Sequence, residues 1–308
     1  MNFRTQMDIT TIRRSLFTLT TLILSVGVHA QKDRTKEGYA LNWDKPIVVV
    51  ADSISNGTHR LPAWTVSIFE TEANTVRDLW RTDMKAISLG VSGKKPLKAS
   101  GVTIADLGSG LMVMAQASTD KKAKLVKFTM AFATNDSTPL ATNAGQEAYM
   151  RALAVKYDRA VVQKQIDVYE KMLAKATSKH SGAQADVAKS RKNITKSNEK
   201  LTKVKSKRSK LQGSIAREQG NIAGLEKKFA LSNDPKDLGK LTKARKKLAS
   251  SESSLAKLMK QEASVQSDIS KYQGQLEKNS GSVESRSATV DELQRTLDAL
   301  KRKHDTIQ

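Results

Sequence analysis

The chain predicts an α+β fold: a small antiparallel sheet with helices on one face, followed by a long antiparallel helical hairpin, a coiled coil. Three observations predict it. A heptad-spaced apolar seam runs through residues 157–308. Its frame slips once, inside a stretch of turn-forming residues. Ahead of it, residues 46–156 carry short runs of alternating apolar and polar residues, the pattern of strands.

In the first arm one series steps by seven from Ile166 through Leu173, His180 and Arg208 to Phe229, and a second lies three residues later, from Tyr169 through Ser190 and Ser197 to Leu225. These are the a and d positions of a coiled coil. The second arm repeats them from Leu241 to His304, and from Ala244 through Asn279 and Arg286 to Ile307. Phe229 to Leu241 breaks the seven-residue step. The break falls on residues 232–239, where Pro235 cannot continue a helix and Asn233, Asp234 and Gly239 favour turns and caps. Folding the chain near Pro235 brings positions whose numbers sum to roughly 470 level. Arg208 then faces Glu262, Ser190 faces Asn279 and Ser197 faces Tyr272. A buried charge without a partner costs several kcal/mol, so an opposed Arg208–Glu262 seam pair supports a hairpin. The alternative is two parallel arms of a dimer that tolerate polar seam positions. At about 1.5 Å per residue, each arm is about 100 Å long.

Residues 1–30 read as a secretory signal peptide. Arg13 and Arg14 precede an apolar run over residues 16–28, and Val28-His29-Ala30 is a small-x-small cleavage site. The run is too short to span a bilayer in the mature chain; the alternative is an uncleaved anchor. Residues 31–45 are a polar lead-in. In the head, residues 46–54 and 63–70 read as strands. Residues 71–89 read as an amphipathic helix with Val76, Leu79, Trp80, Met84 and Ile87 on one side and a cap near Thr71. Residues 97–107, 111–118 and 123–134 read as three more strands. The last alternates Val126, Phe128, Met130 and Phe132 with polar residues, one buried face and one wet. Turns are expected at 106–110 and 119–122, and Gly90 and Gly93 also read as turns. A helix beginning near Ala144 packs on the sheet and runs into the stalk.

The combination of export signal, a WTVSIFE strand before a VRDLWRTDMK helix, a sheet ending in VKFTMAFAT and a lysine-rich coiled coil resembles an uncharacterised family of exported proteins of the Gram-negative cell envelope. The resemblance implies location in the periplasm or envelope and supplies no catalytic residues. Coiled coils of this kind also resemble chromosome-maintenance ATPases, but the GxxxxGK[ST] phosphate loop of those enzymes is absent from the sequence.

The 308 residues carry a net charge of +22 and no cysteine. The last fact excludes disulfides, thiolate zinc sites, cysteine nucleophiles and a lipid-modified N-terminal cysteine. No catalytic, cofactor-binding or metal-ligating set is read. His180 and His304 occupy seam positions that are not level. His59, with Asp52 and Ser53, offers a base, an orienter and a nucleophile, but without an elbow or oxyanion glycines. The basic run of the first arm is the candidate polyanion-binding surface: Lys189, Arg191, Lys192, Lys196, Lys200, Lys203, Lys205, Lys207 and Lys210, opposed only by Glu199. More basic residues flank the turn. Such charge attracts polyanions within about a Debye length, ~8 Å in physiological salt; the bland reading is a solubilising face. No aromatic residues interleave the lysines, so base stacking is unsupported.

The expected function is therefore that of a non-enzymatic exported envelope protein. A small docking domain carries a basic coiled-coil stalk that binds a protein partner or an anionic envelope polymer. The alternatives are a regulator of a cell-wall or surface enzyme, and a nucleic-acid or polyanion binder, nucleic acid being the less available ligand after export. A hydrolase built on His59 is the enzymatic alternative.

Overall fold

The computed structural model describes Thr35 and residues 38–308. The signal-peptide reading and part of the polar lead-in lie outside the described residues. The chain divides into two compact units, residues 1–40 and Leu41–Gln308. In the first, Thr35 closes a turn: its Oγ1 accepts from the Tyr39 N–H at 3.0 Å, and its own N–H donates to the Tyr39 carbonyl at 2.7 Å. The second unit holds the head and the hairpin.

The head is a six-stranded antiparallel sheet in the order β1-β2-β6-β5-β4-β3. Its strands are β1 (Val49–Ser55), β2 (Arg60–Phe69), β3 (Gly90–Ser92), β4 (Leu97–Ile104), β5 (Gly108–Asp120) and β6 (Leu125–Ala133). The alternation that marks β6 in sequence puts Val126, Phe128, Met130 and Phe132 on one buried face. Two helices cover that face: α1 (Ala73–Ile87) and the first turns of α2 (Ala144–Ser232). From α1, Trp80 is fully buried and points its indole N–H at the sulfur of Met130, 3.2 Å away. From α2, Tyr157 packs edge-on against Phe128. The opposite face holds a smaller apolar cluster, Ile54, Leu61, Ala63, Met114 and Ala131.

Several details differ from expectation. Gly90 pairs with Ser100 in β3 instead of making a turn; three residues are too few for alternation to register. The hairpin turns sit at 105–107 and 121–124, so Gly108 and Gly110 already belong to β5. The N-terminus of α1 is not capped from Thr71. Glu72 occupies the cap position without a side-chain bond, and Thr119 of β5 accepts the Ala73 N–H at 3.0 Å. A tertiary neighbour has replaced the local cap.

The rest of the unit is a helical pair. α2 runs for 89 residues and α3 (Pro235–Thr306) for 72. α2 starts from Asn143, whose side chain accepts the Gln146 N–H at 2.9 Å. It passes the expected head–stalk boundary at residue 157 without a break. The turn between the arms is narrower than 232–239. Only Asn233 and Asp234 lie outside the helices. Asn233 takes a left-handed conformation (φ 47°) and donates to the Phe229 carbonyl. Asp234 caps α3 by accepting the Lys236 N–H at 2.8 Å. Pro235 ends one helix by starting the next, at a position where no N–H is needed, and Gly239 lies inside α3.

Every expected seam position is buried or half-buried except Arg286. That residue lies outside the seam and donates across the arms to the Lys179 carbonyl at 2.5 Å. A guanidinium is too costly to desolvate where no carboxylate opposes it, and its neighbour Ser287 is half-buried instead.

Candidate polyanion-binding stalk and its anchorage

The hairpin register is fixed by polar contacts along its length. Arg208 Nη1 lies 2.6 Å from Glu262 Oε2. Asn279 Nδ2 donates to Ser190 Oγ at 3.3 Å, and Ser251 Oγ donates to Glu218 at 3.2 Å. Both arms therefore belong to one chain folded antiparallel, and the parallel-dimer alternative is set aside. Near Glu218, Lys247 approaches to 2.8 Å and, with Ser251, holds that carboxyl below the usual range.

All nine basic residues of the candidate surface, from Lys189 to Lys210, are exposed on α2. Between residues 189 and 210 the chain has ten basic residues and one acid. The facing part of α3, residues 260–281, has three of each. The charge is thus concentrated on one arm. Arg208, the tenth basic residue, is turned inward to Glu262.

At its foot the hairpin is bound to the head by a buried polar cluster that the sequence reading missed. Lys303, near the end of α3, is fully buried, and its ammonium lies 2.6 Å from Glu70 Oε2. Gln165 of α2 donates to the same oxygen at 3.0 Å. Glu70 follows β2 with φ 54°, a conformation few non-glycine residues adopt. Beside it, Asp158 of α2 accepts the Phe69 N–H at 2.8 Å. Burial, augmented by the nearby Glu70 charge and opposed by the Phe69 N–H and Lys303, pushes the Asp158 carboxyl up to about 8. Arg159 adds two bonds to the Ile307 carbonyl, at 3.1 and 2.8 Å. The available sequence signal was Asp158 and Gln165, polar residues on the stripe of Val161, Val162 and Ile166. Lys303 gave none, because it lies beside the seam and looks like one more surface lysine.

A second polar group sits between α1 and α2. Asp83 of α1 pairs with Lys156 at 2.7 Å. Burial, with Asp83 close by, raises the Tyr149 and Tyr157 hydroxyls above the usual phenol range. A hollow of about 330 Å³ opens beside them, lined by Asp83, Ala86, Ile87, Tyr149, Ala152, Leu153 and Lys156. It is a shallow, largely apolar groove.

The residues around His59 do not assemble as a triad. Adjacent strand residues point to opposite faces. Asp52 accepts from Thr65 at 2.8 Å and from the Ser53 N–H at 2.7 Å, which keeps its carboxyl low. Ser53 Oγ is taken by Arg60. The ring of His304 meets Asp305. Among the described residues no group of three or more His, Asp or Glu side chains could hold a metal ion. No described helix is long and apolar enough to cross a membrane.

No family model matches the chain, and no curated protein matches it. The envelope-family resemblance rests on the residues quoted for it.

Proposed function

We propose that this is a non-enzymatic exported envelope protein whose basic stalk binds anionic polymer. The head serves as the base from which the stalk projects. The observation that carries this reading is the one-sided charge: nine exposed basic side chains along about six turns of α2, facing a stretch of α3, residues 260–281, with no net charge. A merely solubilising surface has no need to confine its lysines to one helix, whereas a linear polyanion is matched by a linear row of cations. The foot cluster supports the same reading, because a binding arm must be held firmly to its base.

The test is retention on a heparin matrix eluted with salt. Counterion release predicts elution that moves strongly with ionic strength. Replacing Lys196, Lys200, Lys203, Lys207 and Lys210 with Gln should shift elution to markedly lower salt. Changing the same number of lysines on α3 should shift it much less. Equal shifts from both variants would mean that net charge alone governs retention, and the reading would fail.

A further inference from the structure

The outer end of the hairpin has a surface that the seam does not explain. Leu231 is 90% exposed and Leu238 is 45% exposed. They lie just before and just after the Asn233–Asp234 connection, at the extremity of the rod. The seam is closed there by Phe229 and Leu241 instead. Solvent-facing leucines contribute nothing to holding the arms together.

The charge around them is equally distinctive. Residues 226–247 hold eight basic side chains and three acids. All three acids are engaged within the tip. Glu226 pairs with Arg245 at 2.7 Å. Asp237 is buried between Lys228 at 3.2 Å and Lys240 at 3.4 Å. Asp234 caps α3. Lys247 is held by Glu218. Lys227, Lys236, Lys243 and Lys246 remain exposed, with no ion-pair partner within 4.0 Å among the described residues.

We propose that this tip docks on an anionic lipid bilayer. Leu231 and Leu238 enter the boundary between headgroups and acyl chains, while the four unpaired lysines meet the phosphates. Anionic leaflets attract clustered Lys and Arg close to the surface, and shallow apolar insertion adds to that attraction. The shape favours a bilayer over a protein groove: the leucines stand on a narrow convex end, which a fluid surface can envelop. The proposal shares with the stalk reading only the choice of an anionic partner; its residues are different.

The absence of cysteine permits a site-specific test in the full chain. Leu231→Cys is labelled with an environment-sensitive fluorophore, and Ser253→Cys, exposed about a quarter of the way along α3 from the tip, serves as control. A label at 231 reads the tip whatever the rest of the chain does. With vesicles of phosphatidylethanolamine and phosphatidylglycerol, emission at 231 should shift to the blue, and emission at 253 should not. Vesicles of phosphatidylcholine alone should give no shift. Replacing Lys227, Lys236, Lys243 and Lys246 with Gln should weaken the vesicle titration at least tenfold. Silence at 231 on anionic vesicles, equal shifts on both lipids, or indifference to the four replacements would overturn the proposal. The five-lysine arm variant should keep the tip response, and if it loses it the tip is not the lipid contact. Failed heparin retention with an intact tip response would instead dismiss the polymer-binding arm alone.

Discussion

Arg208 and Glu262 stand 54 positions apart in the chain and 2.6 Å apart in space. Glu262 is nearly buried while Arg208 keeps about a third of its side chain in solvent. The pair therefore fixes register more than it adds net stability.

Removing one member should cost more than removing both. Glu262→Ala leaves a partly buried guanidinium unpaired and should lower stability by about 1–2 kcal/mol, after allowance for the exposure of Arg208. The double change Arg208→Leu with Glu262→Leu should be neutral or stabilising. Urea denaturation of the three chains checks the order.

The antiparallel register can be locked covalently. Ser190 and Asn279 touch across the seam, and the native chain has no thiol to interfere. Ser190→Cys with Asn279→Cys should oxidise to an intramolecular disulfide. The product should run as a monomer on a non-reducing gel. Disulfide-linked dimers as the main species would contradict the hairpin.

The foot cluster should control the end of α3. Lys303→Ala leaves Glu70 and Gln165 facing a void and should cost about 2 kcal/mol. Hydrogen exchange should accelerate over residues 297–307 before it changes near the tip. Uniform acceleration along both arms would show that Lys303 has no local role.

Asp158 predicts a pH dependence. Its folded-state carboxyl, at about 8, lies above the ordinary carboxylate value of 3.8, so the folded chain binds the extra proton. Stability from this group is complete below the unfolded value and is lost as pH rises toward 8. The loss approaches about 1.4 kcal/mol per pH unit for one proton. Asp158→Asn keeps an acceptor for the Phe69 N–H and cannot ionise. Its stability should vary less between pH 5 and pH 8 than that of the native chain. Parallel thermal unfolding curves for the two chains across that window would refute the assignment.

Much of this architecture was legible because periodicity is a repeated signal. Seven-residue spacing recurs enough times in each arm to survive His180, Glu218 and Asn279 in the seam, and the frame slip marked the fold-back. The Arg208–Glu262 pair followed from the register alone. Strand β3 was not legible, since Gly90, Val91 and Ser92 carry no pattern of their own. Nor was the foot cluster. Glu70, Asp158, Gln165 and Lys303 come from three distant parts of the chain, and each looks ordinary among its neighbours. Arg286 was misplaced because strict extrapolation of the heptad ignores the local cost of burying a guanidinium. The candidate binding surface was visible as a lysine run, but its confinement to one arm needed the register.

The unbroken course of α2 makes the reach of this molecule an integer. One helix belongs both to the sheet's cover and to the outgoing arm, with no joint between. Adding one heptad to each arm would carry the tip about 10 Å farther at nearly the same rotation. Adding it to a single arm would mismatch every layer beyond the insertion. The span from base to tip can therefore change only in paired steps, and homologues of different length should differ by equal insertions on the two sides of Asn233.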